Sequence, residues 1–282
     1  AFGEAEDRQD SSSGGVFPRL ARKTLEQGGL IFGAAMAEGM DFAQHVAIDS
    51  LSRLPELRGS KYLQSRMGSS YQQAREALNA GRPVLFTGTP CQIEGLMNYL
   101  GRDYKNLLTA DVVCHGVPSE KLWKKYLEYQ QKRYGSRVKE VRFRDKRQGW
   151  KRFSMVLTFE NGKQYAKKLY FDLFLQLFLQ DFCLRPSCYA CTSRKAHRCS
   201  DLTLGDFWGC DVVCPDMDDD MGLSLVLIHS EKGQQAFEEL PLKTREVTLE
   251  QALIANKALI RSPGQPENRQ EVLASLDTLP LQ

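Results

Sequence analysis

Several signatures that would assign a function at once are missing from this sequence. No G-x-G-x-x-G follows an apolar run and there is no Walker motif, so neither a standard Rossmann nor a P-loop nucleotide site is supported. Charge of one sign is not in excess either. A net charge of +3 gives no global electrostatic case for nucleic acid or a membrane surface. No apolar run reaches membrane-spanning length. The longest, "LYFDLFLQLFLQDF" (Leu169–Phe182), is broken by Asp172, Gln176 and Gln180 and reads as a buried helix. "PDMDDD" (Pro215–Asp220) lacks EF-hand spacing and a closing glutamate, which predicts a solvated loop rather than a calcium site. No internal repeat or low-complexity block stands out. The start, "AFGEAEDRQDSSSGG", is polar and acidic, without an initiator methionine or an apolar signal core. Residues 1–10 are therefore expected to be a linker or truncated N-terminus, and a cytoplasmic protein is the default.

With 282 residues, 42% of them apolar, the chain can bury one large core or two intimate halves. Strand-like and helix-like segments alternate in its first half. Val16, Phe17, Leu20 and Leu25 recur at helical spacing, then "LIFGAAM" and "QHVAI" read as strands. "SSYQQAREALNAG" is a helix with a serine cap and a glycine stop. "PVLFTG" and "NLLTADVVC" are strands, and "SEKLWKKYLEYQQKRYG" is an amphipathic helix starting on Ser119. The pattern then turns to antiparallel strands, "RVKEVRFRD" and "RFSMVLTFENGKQYAKKL", the latter with a primed turn at Asn161–Gly162. The expectation is an α/β fold with α+β elements. It has a mixed sheet flanked by helices, an inserted antiparallel hairpin and a cysteine-rich loop. The domain is expected to run as a first part, 11–86, and a second, 87–260, with a peripheral tail at 261–282.

Cysteine is abundant: positions 91, 114, 183, 188, 191, 199, 210 and 214. Without a secretory signal, metal or redox chemistry is favoured over a disulfide framework. "LFTGTPCQIEGL" (Leu85–Leu96) delivers Cys91 to the first turn of a helix, where backbone N–H groups favour a thiolate. Cys91 and Cys114 both follow strands, and in a parallel sheet such exits share one edge. "SCYAC" adds the C-x-x-C pair Cys188 and Cys191. These four suit an iron–sulfur cluster, whereas Cys188, Cys191, His197 and Cys199 suit a local zinc knuckle. Spacing alone leaves both open. The remaining cysteines are expected to be packing residues.

Other candidates carry a plain reading beside a functional one. "SSSGGVF" is a helix cap or an anion cradle. The eight Lys/Arg of Arg137–Arg152 are a charged outer strand face or, as a minority reading, a site for an anionic cofactor tail. His115 is a structural histidine or a proton donor.

"SSSGGVF", "RGSKYLQS", "LFTGTPCQIEGL", "DVVCHGVPS", "RFRDKRQGW", "RPSCYAC" and "SDLTLGDFWG" occur in this order. Together they resemble the coenzyme F420 hydrogenase/dehydrogenase beta-subunit family, particularly its bacterial branch, from about Ser11 to near Leu240. The resemblance implies an oxidoreductase with FAD and a 4Fe-4S cluster. It implies Cys91, Cys114, Cys188 and Cys191 as cluster ligands. It implies Ser12, Ser13, Gly14, Gly15, Ser60, Lys61, Tyr62 and Gln64 as flavin-contacting, with Thr89 and Gln92 of the cysteine turn alongside and "GDFWG" (Gly205–Gly209) bordering the same cleft. His115 is the catalytic candidate. A deazaflavin or other small-molecule substrate and a ferredoxin-like module or protein are the implied partners. The rival class is a non-catalytic, zinc-stabilised interaction domain.

Overall fold

Apolar residues alternate between two faces along the central strands, and that alternation sets the layers. The computed structural model describes residues 1–278. It contains β1 (Leu30–Met36), β2 (Ala43–Ile48), β3 (Ser65–Arg66), β4 (Val84–Gly88), β5 (Leu107–Val112), β6 (Val138–Asp145), β7 (Ser154–Phe159), β8 (Gln164–Lys168), β9 (Leu202–Asp206) and β10 (Ser224–Ile228). Seven of these form one mixed sheet in the order β10-β9-β5-β4-β1-β2-β3. The β1, β4, β5 and β9 strands run parallel, β2 and β10 pair antiparallel at either side, and β3 runs parallel to β2. Ile31 and Leu85 point to one face, where Val16, Leu20 and Ala21 of the Val16–Glu26 helix cover them. Phe32 and Phe86 point to the other and stack at 5.3 Å beneath the Ser70–Asn79 and Pro90–Leu100 helices. Each such buried ring contributes about 1.5–3 kcal/mol. The fold is α/β, as the sequence predicts.

Between β5 and β9 the chain leaves this sheet and builds a second one, β6-β7-β8, antiparallel throughout. The Glu120–Tyr134 and Leu173–Leu179 helices close it, with Trp123, Tyr126, Phe143, Phe159, Phe174 and Phe178 in its core. The hairpin turn differs from expectation. Gly162 alone has a positive φ, and its N–H donates to the Phe159 carbonyl at 3.0 Å. A three-residue loop with a left-handed glycine replaces the primed pair. The apolar helix is shorter than its hydrophobic run, because Asp172 caps it by accepting from the Leu175 N–H at 2.8 Å.

Two peripheral segments are integral to the structure rather than loose. Residues 1–10, expected as a linker, form a short helix whose Asp7 and Arg8 are buried. Arg8 pairs with Asp219 and donates to the Gly222 carbonyl at 2.8 Å. The acidic loop expected to be solvated is therefore stapled by cations: Asp216 to Arg245, Asp218 to Lys151 and Asp219 to Arg8. Of the tail expected at 261–282, residues 279–282 lie outside the described residues. The part described packs inward, Arg269 donating to the Leu184 carbonyl at 2.6 Å and to the Tyr189 hydroxyl at 3.0 Å. Among the described residues no helix is long and apolar enough to cross a membrane.

Candidate functional site

The carboxyl ends of β1, β4, β5 and β9 share one edge of the sheet, the place where ligands gather in α/β folds. β4 there runs through Thr89 into the Pro90–Leu100 helix and places Cys91 in its first turn. β5 runs out to Cys114 and His115. β9 ends at Asp206, followed by Trp208. The segment between β2 and β3 brings Ser60 to Gln64 to the same edge, and the Ser11–Gly15 loop arrives at the start of the Val16–Glu26 helix. A cavity of about 590 Å³ opens between them. It is of the size usual for a cofactor site. Ser12, Ser13, Gly15, Ser60, Lys61, Tyr62, Gln64, Thr89, Cys91, Gln92, Cys114, His115, Cys188 and Cys191 all line it, as do Gly205, Asp206 and Trp208.

Gly14 is the exception. Its N–H donates to Ser224 Oγ at 2.9 Å, and a Cβ there would stand 2.4 Å from the Ala1 carbonyl and 2.8 Å from the Ser224 nitrogen. Close backbone packing, and not a ligand, excludes a side chain at this position. Gly15 lines the cavity with φ +83° and begins a helix that has no side-chain cap, which leaves its first N–H groups without a side-chain acceptor among the described residues.

The cysteines come from three stretches that cross-links hold together. The Pro118–Leu184 bridge ties the strand exit of Cys114 to the loop of Cys188. A Cβ on Gly116 would lie 3.5 Å from that of Cys188. Ser193 Oγ donates to Glu94 on the Cys91 helix at 2.5 Å, and the Cys191 N–H donates to Ser262 Oγ at 3.0 Å. Arg194 donates to the His115 carbonyl at 2.8 Å and to the Arg261 carbonyl at 2.6 Å. Burial pushes the Cys114 thiol up to about 12, against the Gly116 N–H and Arg194, which favour the thiolate. Cys91 is exposed at the cavity mouth. Among the described residues no three His, Cys, Asp or Glu converge as they would around a single metal ion. Cys210 and Cys214 lie elsewhere, buried with Trp150, Phe207 and Met217.

Arg198 clamps the cysteine loop to β5. Its side chain, 3% exposed, pairs at 2.8 Å with Asp111, 1% exposed, and also reaches the Val112, Lys195 and Leu259 carbonyls. Ser200 and Thr203 donate to the same carboxylate at 3.0 and 2.6 Å. Thr203 in turn accepts from His229 Nε2 at 2.8 Å. Burial, helped by Arg198, pulls His229 down to about 4. Its folded value is thus below its unfolded one of about 6.5. The neutral ring supports the fold fully above pH 6.5, and that support is lost as pH falls toward 4. Asp111, held above the usual carboxylate range by burial, acts in the opposite sense. The His229→Gln variant is therefore expected to flatten the stability loss between pH 6.5 and 4 by about 1–2 kcal/mol after solvent screening. Urea midpoints measured across that range check it, and parallel curves for the two proteins would refute it.

Within the cavity, Lys61 Nζ donates to the Glu56 and Arg58 carbonyls at 2.9 and 2.7 Å, and burial pulls it down to about 7. Ser12 Oγ accepts from the Ser60 N–H at 2.7 Å, fixing that loop. Ser13 Oγ donates to the Leu223 carbonyl at 2.8 Å, and Gln64 accepts from Arg185. Burial pushes Tyr62, packed on Phe178 at 4.7 Å, up to about 12. His115 Nε2 stands 2.9 Å from Asp181 and 3.2 Å from the Phe178 carbonyl.

Arg144 is the residue the sequence reading missed. Strict alternation along "VRFRD" turns Arg144 outward, opposite Phe143. A register shift between Arg142 and Asp145 breaks the alternation, and both Phe143 and Arg144 are buried. Arg144 pairs with Asp206, interacts with Tyr62, and lies 4.6 Å over Phe153 and 5.3 Å over Trp208; among the described residues no well-formed hydrogen bond reaches its Nε or Nη2. It stands in the wall shared with a second cavity of about 840 Å³, lined by cations (Arg58, Lys61, Arg142, Lys146 and Arg147) and by carboxylates (Asp10, Glu56, Glu140, Asp145 and Asp220). The basic strand is thus partly turned inward, against the outer-face expectation.

The family model for the C terminus of the coenzyme F420 hydrogenase/dehydrogenase beta subunit matches residues 81–252, a stretch holding all four cysteines. No curated protein matches. A solved structure of the F420-reducing NiFe hydrogenase complex from Methanosarcina barkeri, derivatised with xenon, contains a similar chain. That chain is 17% identical, with a TM-score of 0.55 over 97% of this chain and 89% of its own. At that identity it is the fold that is shared.

Proposed function

This chain belongs to the coenzyme F420 hydrogenase/dehydrogenase beta-subunit family, a family of oxidoreductases, and from that premise we propose that it is an iron–sulfur flavoprotein. Cys91, Cys114, Cys188 and Cys191 would ligate a 4Fe-4S cluster, with FAD held beside it. The observation that carries the reading is the gathering of these four thiols and of the serine–glycine and Ser60–Gln64 segments around one cavity. Its residues fit both groups. Two strand-exit cysteines and a C-x-x-C pair on one cavity make a four-thiolate set of the kind that holds an iron–sulfur cluster. The orphaned guanidinium nitrogens of Arg144 and the uncapped helix start at Gly15 fit a pyrophosphate.

When bound, FAD would exchange a hydride with a substrate and pass electrons on singly through the cluster. The chain's own part is placement and exclusion of water. Tyr62, Leu63, Phe153 and Phe178 form an apolar wall, while Arg144 sets positive charge between the two cavities. The second cavity carries both signs, Arg142 being paired with Glu140 and Arg147 with Asp145, so it makes no case of its own for an anionic tail. The structurally similar chain is part of an F420-reducing hydrogenase complex. That assembly supports a protein partner here, of the ferredoxin-like kind that takes single electrons.

Anaerobic purification followed by assay of iron, acid-labile sulfide and released flavin tests the reading. Serine at any one of Cys91, Cys114, Cys188 or Cys191 is expected to lower iron content and bleach the broad visible absorbance. Serine at Cys210 or Cys214, packed in a separate apolar cluster, is expected to leave both unchanged. Zinc in place of iron, with no flavin, would overturn the proposal in favour of a zinc-stabilised interaction domain.

A further inference from the structure

Resting on the reading of Cys91 as a cluster ligand, we propose that Thr89 is a positioning residue that tunes the cluster by donating a hydrogen bond from its hydroxyl to the Cys91 sulfur. Thr89 Oγ1 lies 3.2 Å from Cys91 Sγ and 3.1 Å from Gln92 Oε1. Which of the two takes its single proton depends on what else satisfies them.

Gln92 is held in one orientation by a directed chain. His45 Nε2 donates to the Thr87 carbonyl at 2.8 Å, which leaves Nδ1 as an acceptor for Ser65 Oγ at 2.7 Å. Ser65 Oγ has then spent its proton and accepts from Gln92 Nε2 at 2.9 Å. The amide oxygen of Gln92 is thereby turned to Thr89, where it accepts the backbone N–H at 2.9 Å. That bond satisfies Oε1 without the hydroxyl. Tyr71 holds the same turn from outside, donating to the Gln92 carbonyl at 2.7 Å.

Two arrangements of the hydroxyl follow. Beside a free thiol, the S–H donates to Thr89 Oγ1 and the Thr89 proton goes to Gln92. A sulfur bonded to iron would carry no S–H, and the Thr89 O–H would then turn to Sγ while Gln92 keeps the backbone N–H. The donor is thus free for a negative sulfur because the Gln92–Ser65–His45 chain has removed the competing need. A hydrogen bond to a ligand sulfur strengthens as negative charge on it grows, so it favours the reduced cluster and raises its potential.

The test uses the full chain, reconstituted anaerobically with iron and sulfide. Thr89→Val is expected to shift the reduced-to-oxidised ratio at fixed potential roughly tenfold toward oxidised, about 59 mV for one electron. It should also abolish one exchangeable-proton coupling seen by pulsed electron resonance after transfer to deuterated water. Thr89→Ser, which keeps the hydroxyl, should restore both. The wild type itself must show that coupling, which keeps the test decisive if Thr89→Val fails to load. A loaded wild type without it, or a Thr89→Val protein with unchanged potential and coupling, overturns the proposal. A Cys91→Ser protein whose cluster spectrum and iron content are those of the wild type would overturn the ligand reading instead, and this inference with it.

Discussion

Replacing Asp111 by alanine is expected to cost about 3–5 kcal/mol of stability, because it leaves the Arg198 guanidinium buried without its counter-charge. The pair is almost fully enclosed and 2.8 Å apart, and the carboxylate also holds Ser200 and Thr203. Its loss frees three donors at once, and water has little access to replace it. The effect reaches the cysteines, since Arg198 anchors the loop of Cys188 and Cys191 to the end of β5. Urea unfolding should show the loss as a lower midpoint, and reconstituted protein should retain less iron. Asp111→Leu combined with Arg198→Met should recover much of the stability, since an apolar pair of similar volume carries no uncompensated charge. A loss under about 1 kcal/mol in the single variant would mean that solvent reaches Arg198 and that the clamp is weak.

A loss of about 3–7 kcal/mol is expected for Asp172→Ala, in the second sheet's core. Asp172 is fully buried and accepts from Tyr126 at 2.5 Å, from Tyr165 at 2.7 Å and from the Leu175 N–H at 2.8 Å. Alanine leaves two buried phenols without an acceptor, about 1–3 kcal/mol each, and removes a helix cap worth about 1 kcal/mol. Burial already raises this carboxyl above its ordinary range. Asp172→Asn keeps an acceptor oxygen and should lose distinctly less. Equilibrium unfolding of both variants, with Tyr126→Phe and Tyr165→Phe as partners, separates the contributions. Equal losses for Ala and Asn would show that negative charge, and not the acceptor atoms, is what the phenols require.

The sequence made the central layer legible because its strands are short apolar runs closed by turn residues. The two strand-exit cysteines were legible for the same reason: a strand, a turn and a helix fix where Cys91 must stand. The grouping of Cys188 and Cys191 with them was suggested by the C-x-x-C spacing and the resemblance, but the contacts that bring their loop to the same cavity, through Arg198, Arg194 and Ser262, follow no local pattern. Arg144 was hidden by a bulge that breaks the two-residue period, an event the alternation of "VRFRD" does not announce. The acidic loop and residues 1–10 each look solvated when read alone. They are packed because each carries the other's counter-charge, Arg8 to Asp219. Gly14 and Gly15 read as one motif but answer different demands, close packing against Ser224 at the first and a left-handed helix start at the second.

The pairing of β5 with β9 has a consequence for the order in which the molecule is made. The chain departs from the main sheet after Val112 and returns to it at Leu202. At equilibrium so long an excursion adds little, because closure entropy grows only with the logarithm of loop length. During synthesis it imposes a sequence of events. A nascent chain that has not yet delivered β9 carries Cys91 and Cys114 on a sheet whose β5 edge is open, a template for mispairing with another chain. The second sheet, formed from neighbouring strands, has lower contact order and can close first. The cavity wall is complete only when Leu202–Asp206 seals that edge and Ser262 and Arg269 brace the loop behind it. Any group that the cavity takes up would therefore meet a finished wall only after the chain has been made as far as Arg269.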